Sequence, residues 1–197
     1  MSRKNKWIVV LLIIGISGLI ALEGFIKPRA NAQAVRYEAE QNDPLTHDIR
    51  QSIPYSNKYM GNAANFANLN ASLPFRSIGR TLQMYPDRLT AEILYQARAG
   101  ELAPDKLNAF FMYNSTANFA LIDNLEELIF TFEDQSFTIR RDEVETWYRE
   151  VGSVALLRDV DLWRTHVQSR IADEDKVTDF VTSVVRSSSQ KKDRSSI

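Results

Sequence analysis

Two histidines, His47 and His166, and several adjacent carboxylates are the side chains with which this chain could do acid–base or metal chemistry. Neither histidine has a His-Glu-x-x-His neighbourhood, so zinc-assisted hydrolysis has no motif to start from. The carboxylate pairs Glu126/Glu127 and Asp142/Glu143 are sequence neighbours, which point apart on a strand or helix. A glycosidase needs two carboxyls converging across a cleft, and no spacing here predicts that. The Ser-x-x-Lys string Ser188–Lys191 falls in a polar, serine-rich end, and Gly61 and Gly79 stand alone, without a phosphate loop. No catalytic residue, no metal site and no cofactor is expected from these patterns. Cysteine is absent altogether, which removes thiolate chemistry and disulfides.

The stretch "YNSTANFALIDNLEELIFTF", Tyr113 to Phe132, sets four polar residues among apolar ones. Asn114 and Asn118 lie one helical turn apart and could offer amides to a glycan or peptide. They could equally tie a buried helix to adjacent loops, since a buried amide must be paired. Together with Tyr59 they are the candidate binding residues. Asp123-Asn124 reads as a helix stop: asparagine tolerates left-handed backbone, and aspartate bonds nearby N–H groups. Trp147, Tyr148 and Trp163 could stack on sugars, but their helical spacing beside valines reads as core.

The elements that must hold these residues follow from periodicity. Phe66, Leu69 and Leu73 recur at helical spacing in "GNAANFANLNASLP", closed by Pro74. "SIGRTLQMY" and "LTAEILYQ" flank the turn "PDR", with Leu82, Met84, Ile93 and Tyr95 on one face of a hairpin. Pro104-Asp105 opens a long helix, apolar around most of its circumference and therefore central. A second hairpin, "LEELIFTF" with "SFTIR", aligns Leu128, Phe130 and Phe132 with Phe137 and Ile139. Helices follow at Val144–Val151, near Val160–Ile171, and at Val177–Val185. The fold class expected is α+β: an N-terminal transmembrane helix, then two antiparallel hairpins packed on a central helix, with additional C-terminal helices. Expected boundaries are 1–32 anchor, 33–56 polar stalk, 57–151 α+β domain, 152–186 C-terminal helices and 187–197 disordered tail.

Location is carried by "MSRKNKWIVVLLIIGISGLIALEGFIKPR". Trp7 to Ile26 holds a single charge, Glu23, near one end, and as a helix would span roughly 30 Å, the hydrocarbon thickness of a bilayer. Arg3, Lys4 and Lys6 would keep the N-terminus in the cytoplasm and place the body outside. Cleavage near Ala30–Ala32, giving a secreted protein, is the alternative. Residues 30–185 carry 15 basic against 23 acidic residues, a surplus of eight negative charges that argues against nucleic acid as a partner.

Two stretches, "KYMGNAANFANLNASLP" and "YNSTANFALIDNLEELIFTF…FTIRRDEVETWY", resemble an uncharacterised domain of Gram-positive bacteria, the domain-of-unknown-function family 4825. The resemblance covers about Tyr59 to Tyr148. It implies an extracytoplasmic, membrane-tethered domain, in some members beside membrane-embedded zinc peptidase modules, and it brings no catalytic residue. The function expected is a membrane-anchored extracytoplasmic binding or protein-interaction domain, with envelope sensing as one such role, whose partner is a membrane or envelope protein. A cell-envelope hydrolase acting on peptidoglycan or peptide, or a structural accessory subunit, is the alternative.

Overall fold

The computed structural model describes Trp7 and residues 27–189, in two compact units, residues 1–40 and 41–197. The expected anchor Trp7–Ile26 lies, apart from Trp7, outside the described residues, and no described helix is long and apolar enough to cross a membrane. In the first unit, α1 (Lys27–Gln41) is a solvent-exposed helix, braced by an Arg36–Glu40 pair at 2.8 Å one turn apart. It replaces the irregular start of the expected stalk.

The rest of that stalk is also corrected. Beyond Gln41 the chain forms two 3₁₀ turns, Ile49–Gln51 and Ile53–Tyr55, and buries His47, Ile49 and Ser52. Asp48 starts the first turn by accepting the Arg50 N–H. This segment is part of the folded body, not a spacer. Next come α2 (Ala63–Ser72), whose cap Asn62 accepts the Asn65 N–H, and strands β1 (Arg80–Tyr85) and β2 (Thr90–Tyr95). The β1–β2 connection is one 3₁₀ turn, Pro86–Arg88, closed by Leu89 at φ 50°, a left-handed conformation uncommon for leucine. The Leu89 carbonyl accepts the Glu126 N–H at 2.8 Å, which holds that turn against the start of the next strand.

Helix α3 (Pro104–Leu121) crosses over from β2 to β3 (Glu127–Thr131), so these two strands pair in parallel; such a connection needs a crossover of this length. The β1–β2 and β3–β4 (Gln135–Arg140) hairpins are antiparallel, and Leu128 opposes Ile139 and Phe130 opposes Phe137, as the alternation requires. Helix α4 (Arg141–Trp147) follows β4 directly. A helical run, α5 (residues 160–171), contains one π-turn at Arg164–Gln168, and α6 (Glu174–Val184) leads into β5 (Arg186–Ser189). The sheet order is β1-β2-β3-β4-β5.

Every residue of α3 from Phe110 to Leu121 is buried. Phe110 and Phe111 meet Tyr95, Phe130 and Phe137 on the sheet, with ring centroids 4.5–5.7 Å apart. The opposite side is closed by α2 and by the C-terminal helices, through Asn70, Tyr148 and Trp163. The expected division at 151/152 therefore has no packing break behind it, because Trp163, Phe180 and Val184 complete the same core as α3. The expected tail is corrected as well: Ser187, Ser188 and Ser189 pair with β4, and only 190–197 lie outside the described residues.

Candidate binding cleft

Asn114 and Asn118 of the Tyr113–Phe132 stretch are buried and hydrogen-bonded within the fold. Asn118 and Asn70 exchange side-chain amide hydrogen bonds at 3.1 Å in both directions, and Asn118 Nδ2 also donates to the Asn114 carbonyl at 2.8 Å. Asn114 Nδ2 donates to the Pro74 carbonyl at 3.0 Å. Both side chains thus tie α3 to α2 and the loop after it, and neither reaches solvent. Tyr59 does the opposite: its ring is 67% exposed, and the three candidates are not brought together.

Asp123-Asn124 ends α3 by contacts and without left-handed backbone; the described non-glycine residues with positive φ are Phe75 and Leu89. Asn124 Oδ1 accepts the Met60 N–H at 2.7 Å, and Asp123 pairs with Arg158. The last carbonyls of α3 are covered by two arginines. Arg141 donates to Phe119, Ile122 and Leu125, and Arg158 donates to Ala120. Guanidinium groups at a helix C-terminus satisfy orphan carbonyls and oppose the negative end of the dipole.

His47, expected in a stalk, is 2% exposed. Its Nε2 lies 2.8 Å from the Ser72 carbonyl, which can only accept, so Nε2 carries the proton. Nδ1 is then the acceptor for the Tyr113 hydroxyl at 2.6 Å. Burial pushes the Tyr113 phenol well up, which keeps it a donor, and burial lowers the His47 pKa to about 4. The Gln168 amide, delivered by the π-turn of α5, donates to the His47 carbonyl at 2.8 Å.

The recess with the most chemistry is a cleft of about 610 Å³ between α4, the end of α5, α6 and Arg186 at the start of β5. Val144 and Tyr148 point into the core and so turn Glu143, Trp147 and Glu150 towards the cleft. Arg170 from α5 stacks over the Trp147 ring at 4.8 Å and pairs with Glu150. Arg186 donates to Glu143 Oε1 at 2.8 Å, and the Trp147 indole N–H to Asp179 at 3.2 Å. Asp142 is paired with Arg140 at 3.2 Å. Partial burial pushes the Glu150 carboxyl up, but its own backbone N–H, Arg170 and His166 outweigh this and hold it below the usual range. Arg149 and Lys176 line the same cleft, both exposed. Among the described residues no group of three His, Asp or Glu is placed to hold a metal ion.

The cleft can recognise a polar partner by fixed charges and one aromatic face. Each of its carboxylates accepts from a neighbouring donor through at least one oxygen, and Glu143 keeps its second oxygen buried without a partner. None of this was visible locally in the sequence, because the lining comes from α4, α5, α6 and β5. The only cues were Trp147, whose spacing reads as core and which is in fact half-buried against Phe180 and Tyr148, and the "R-acidic-acidic" start of α4.

Residues 53–142 match the family model described as Domain of unknown function (DUF4825). No curated protein and no solved structure matches the chain. The matched stretch runs from the second 3₁₀ turn to the first turn of α4; it includes Asn70, Asn114, Asn118 and Arg141 and leaves out His47 and most of the cleft. The family resemblance is therefore shown over residues 53–142, which hold "KYMGNAANFANLNASLP" and "YNSTANFALIDN" but only the first three residues of "RRDEVETWY", and this chain carries a DUF4825 domain over that stretch.

Proposed function

We propose that this protein is a membrane-anchored, extracytoplasmic binding module that docks a membrane or envelope protein through the cleft between α4 and α6, without catalysing a reaction. The tether is supported by the charge-poor run Trp7–Ile26 behind Arg3, Lys4 and Lys6. The observation that carries the binding role is the pairing inside the cleft: Glu143 with Arg186, Glu150 with Arg170 and Asp179 with Trp147 are held in fixed geometry. Groups already oriented by their neighbours lose little freedom when a partner arrives, which favours specific recognition. The exposed Arg149 and Lys176 at the same cleft favour an acidic segment on that partner.

Affinity capture from membranes with the full chain tests this. The native chain should recover one membrane or envelope protein, and an Arg149→Glu/Lys176→Glu variant of unchanged thermal stability should lose it. Four carboxylates line the cleft, which keeps a hydrolase as the second reading. Release of soluble fragments from peptidoglycan by the purified protein would establish that reading instead.

A further inference from the structure

Strand β1 is one edge of the sheet. Its backbone parity is fixed by the hydrogen bond from Gln96 N–H to the Gly79 carbonyl at 2.7 Å, between residues that oppose each other in the ladder. In an antiparallel pair alternate residues direct both their N–H and C=O to the same neighbour. Thr81, Gln83 and Tyr85 therefore face β2, while Arg80, Leu82 and Met84 turn their backbone groups outward. No backbone partner for those outward groups occurs among the described residues. The register with β2 runs unbroken from Arg80 to Tyr85, with no bulge, and no charge or proline interrupts Thr81–Tyr85. Sheet edges are ordinarily blunted by such devices. The charge and the proline nearest to this run, Arg80 and Pro86, lie at its two ends, and the opposite edge is likewise bounded by a charge, Arg186 at the start of β5.

We infer that the β1 edge pairs with the β1 edge of a second copy of this chain, antiparallel and about Gln83, to make one continuous ten-stranded sheet. The sequence of the strand accommodates this occupant. Leu82 and Met84 oppose Ile93 and Ala91, which are fully buried, so both side chains lie on the core face. A register centred on Gln83 sets Leu82 opposite the second copy's Met84, and core face then continues onto core face. A shift of one residue would set core face against solvent face. The same register sets Thr81 opposite the second copy's Tyr85 and Gln83 opposite itself. Leu82 and Met84, the residues with outward backbone groups, become the doubly hydrogen-bonded pairs. Arg80 falls opposite Pro86, which has no N–H, so the ladder stops there and no like charges meet. Leu82 and Met84 are only partly buried in the single chain, and the second copy covers them.

The absence of native cysteine makes the test direct. Gln83 would sit in a non-hydrogen-bonded pair with Cα atoms about 4.5 Å apart, a separation that a disulfide accepts. Full-length Gln83→Cys protein, oxidised in membranes, should run mostly as a disulfide-linked dimer on a non-reducing gel. Thr81→Cys alone should not, because the two introduced thiols would be about 14 Å apart along the strands. Mixing Thr81→Cys with Tyr85→Cys chains should restore the linked dimer. Thr81 and Gln83 are exposed, so these substitutions spare the core. No dimer from Gln83→Cys, equal linkage from Thr81→Cys alone, or linkage of the introduced thiol to a different protein would each overturn the inference.

Discussion

At the scale of single residues, His47 shows what burying a polar group costs. Its neutral form fits a site where one nitrogen must donate to Ser72 and the other must accept from Tyr113. A proton added to Nδ1 removes that acceptor, in a setting whose nearest charges are Arg76, which opposes protonation, and Asp48, which favours it. The folded pKa of about 4 lies below the ordinary imidazole value of 6.5, so the unfolded chain binds the proton first as pH falls. The contribution is whole above about pH 6.5 and is lost progressively down to about pH 4, on the order of 3 kcal/mol. Urea unfolding at pH 7 and pH 4.5 should show a stability gap between native protein and a His47→Gln variant that narrows by about 2 kcal/mol at the lower pH. A gap that stays constant would mean that His47 titrates normally. The histidine was illegible in the sequence because its partners lie 25 and 66 positions away and its own segment has no periodicity. Asn114 and Asn118 were half legible: their place on the central helix was clear, whereas the reciprocal bond to Asn70 needed the packing of α2 against α3.

At the scale of elements, periodicity located both hairpins and the outer helices, because each buries one regular face, and the central helix, because it is apolar nearly all round. It missed β5, since Arg186–Ser189 has no alternating apolar residues and joins the sheet through backbone pairing alone. It also placed a boundary after Val151 where none exists. A helix buried on every side from Phe110 to Leu121 needs covers on every side, and the sequence pattern of α3 does not name them. Leu157, Trp163, Val167, Phe180 and Val184, each 1% exposed or less, supply one cover. At about 2 kcal/mol for each side chain, their burial adds about 10 kcal/mol, comparable with the whole stability of a domain. A chain stopped after Val151 should therefore lose near-ultraviolet circular dichroism and aggregate, while one stopped after Ser189 should keep its native spectrum. A folded, cooperative fragment ending at Val151 would contradict this packing. Residues 53–142 thus depend for their fold on helices outside the matched stretch.

At the scale of the whole molecule, the proposed arrangement sets an apolar N-terminal run in lipid and an acidic folded body outside the cytoplasm. The proposed orientation rests on the three basic residues Arg3, Lys4 and Lys6 that precede Trp7. The measurement that bears on this most directly uses the cysteine-free background. A single Tyr59→Cys substitution, at a side chain 67% exposed, gives the body one accessible thiol. Intact cells treated with a membrane-impermeant maleimide should label that thiol fully before lysis, and the labelled chain should sediment with membranes after a high-salt wash. Labelling that appears only after the cells are broken, on a chain recovered in the soluble fraction, would contradict the account.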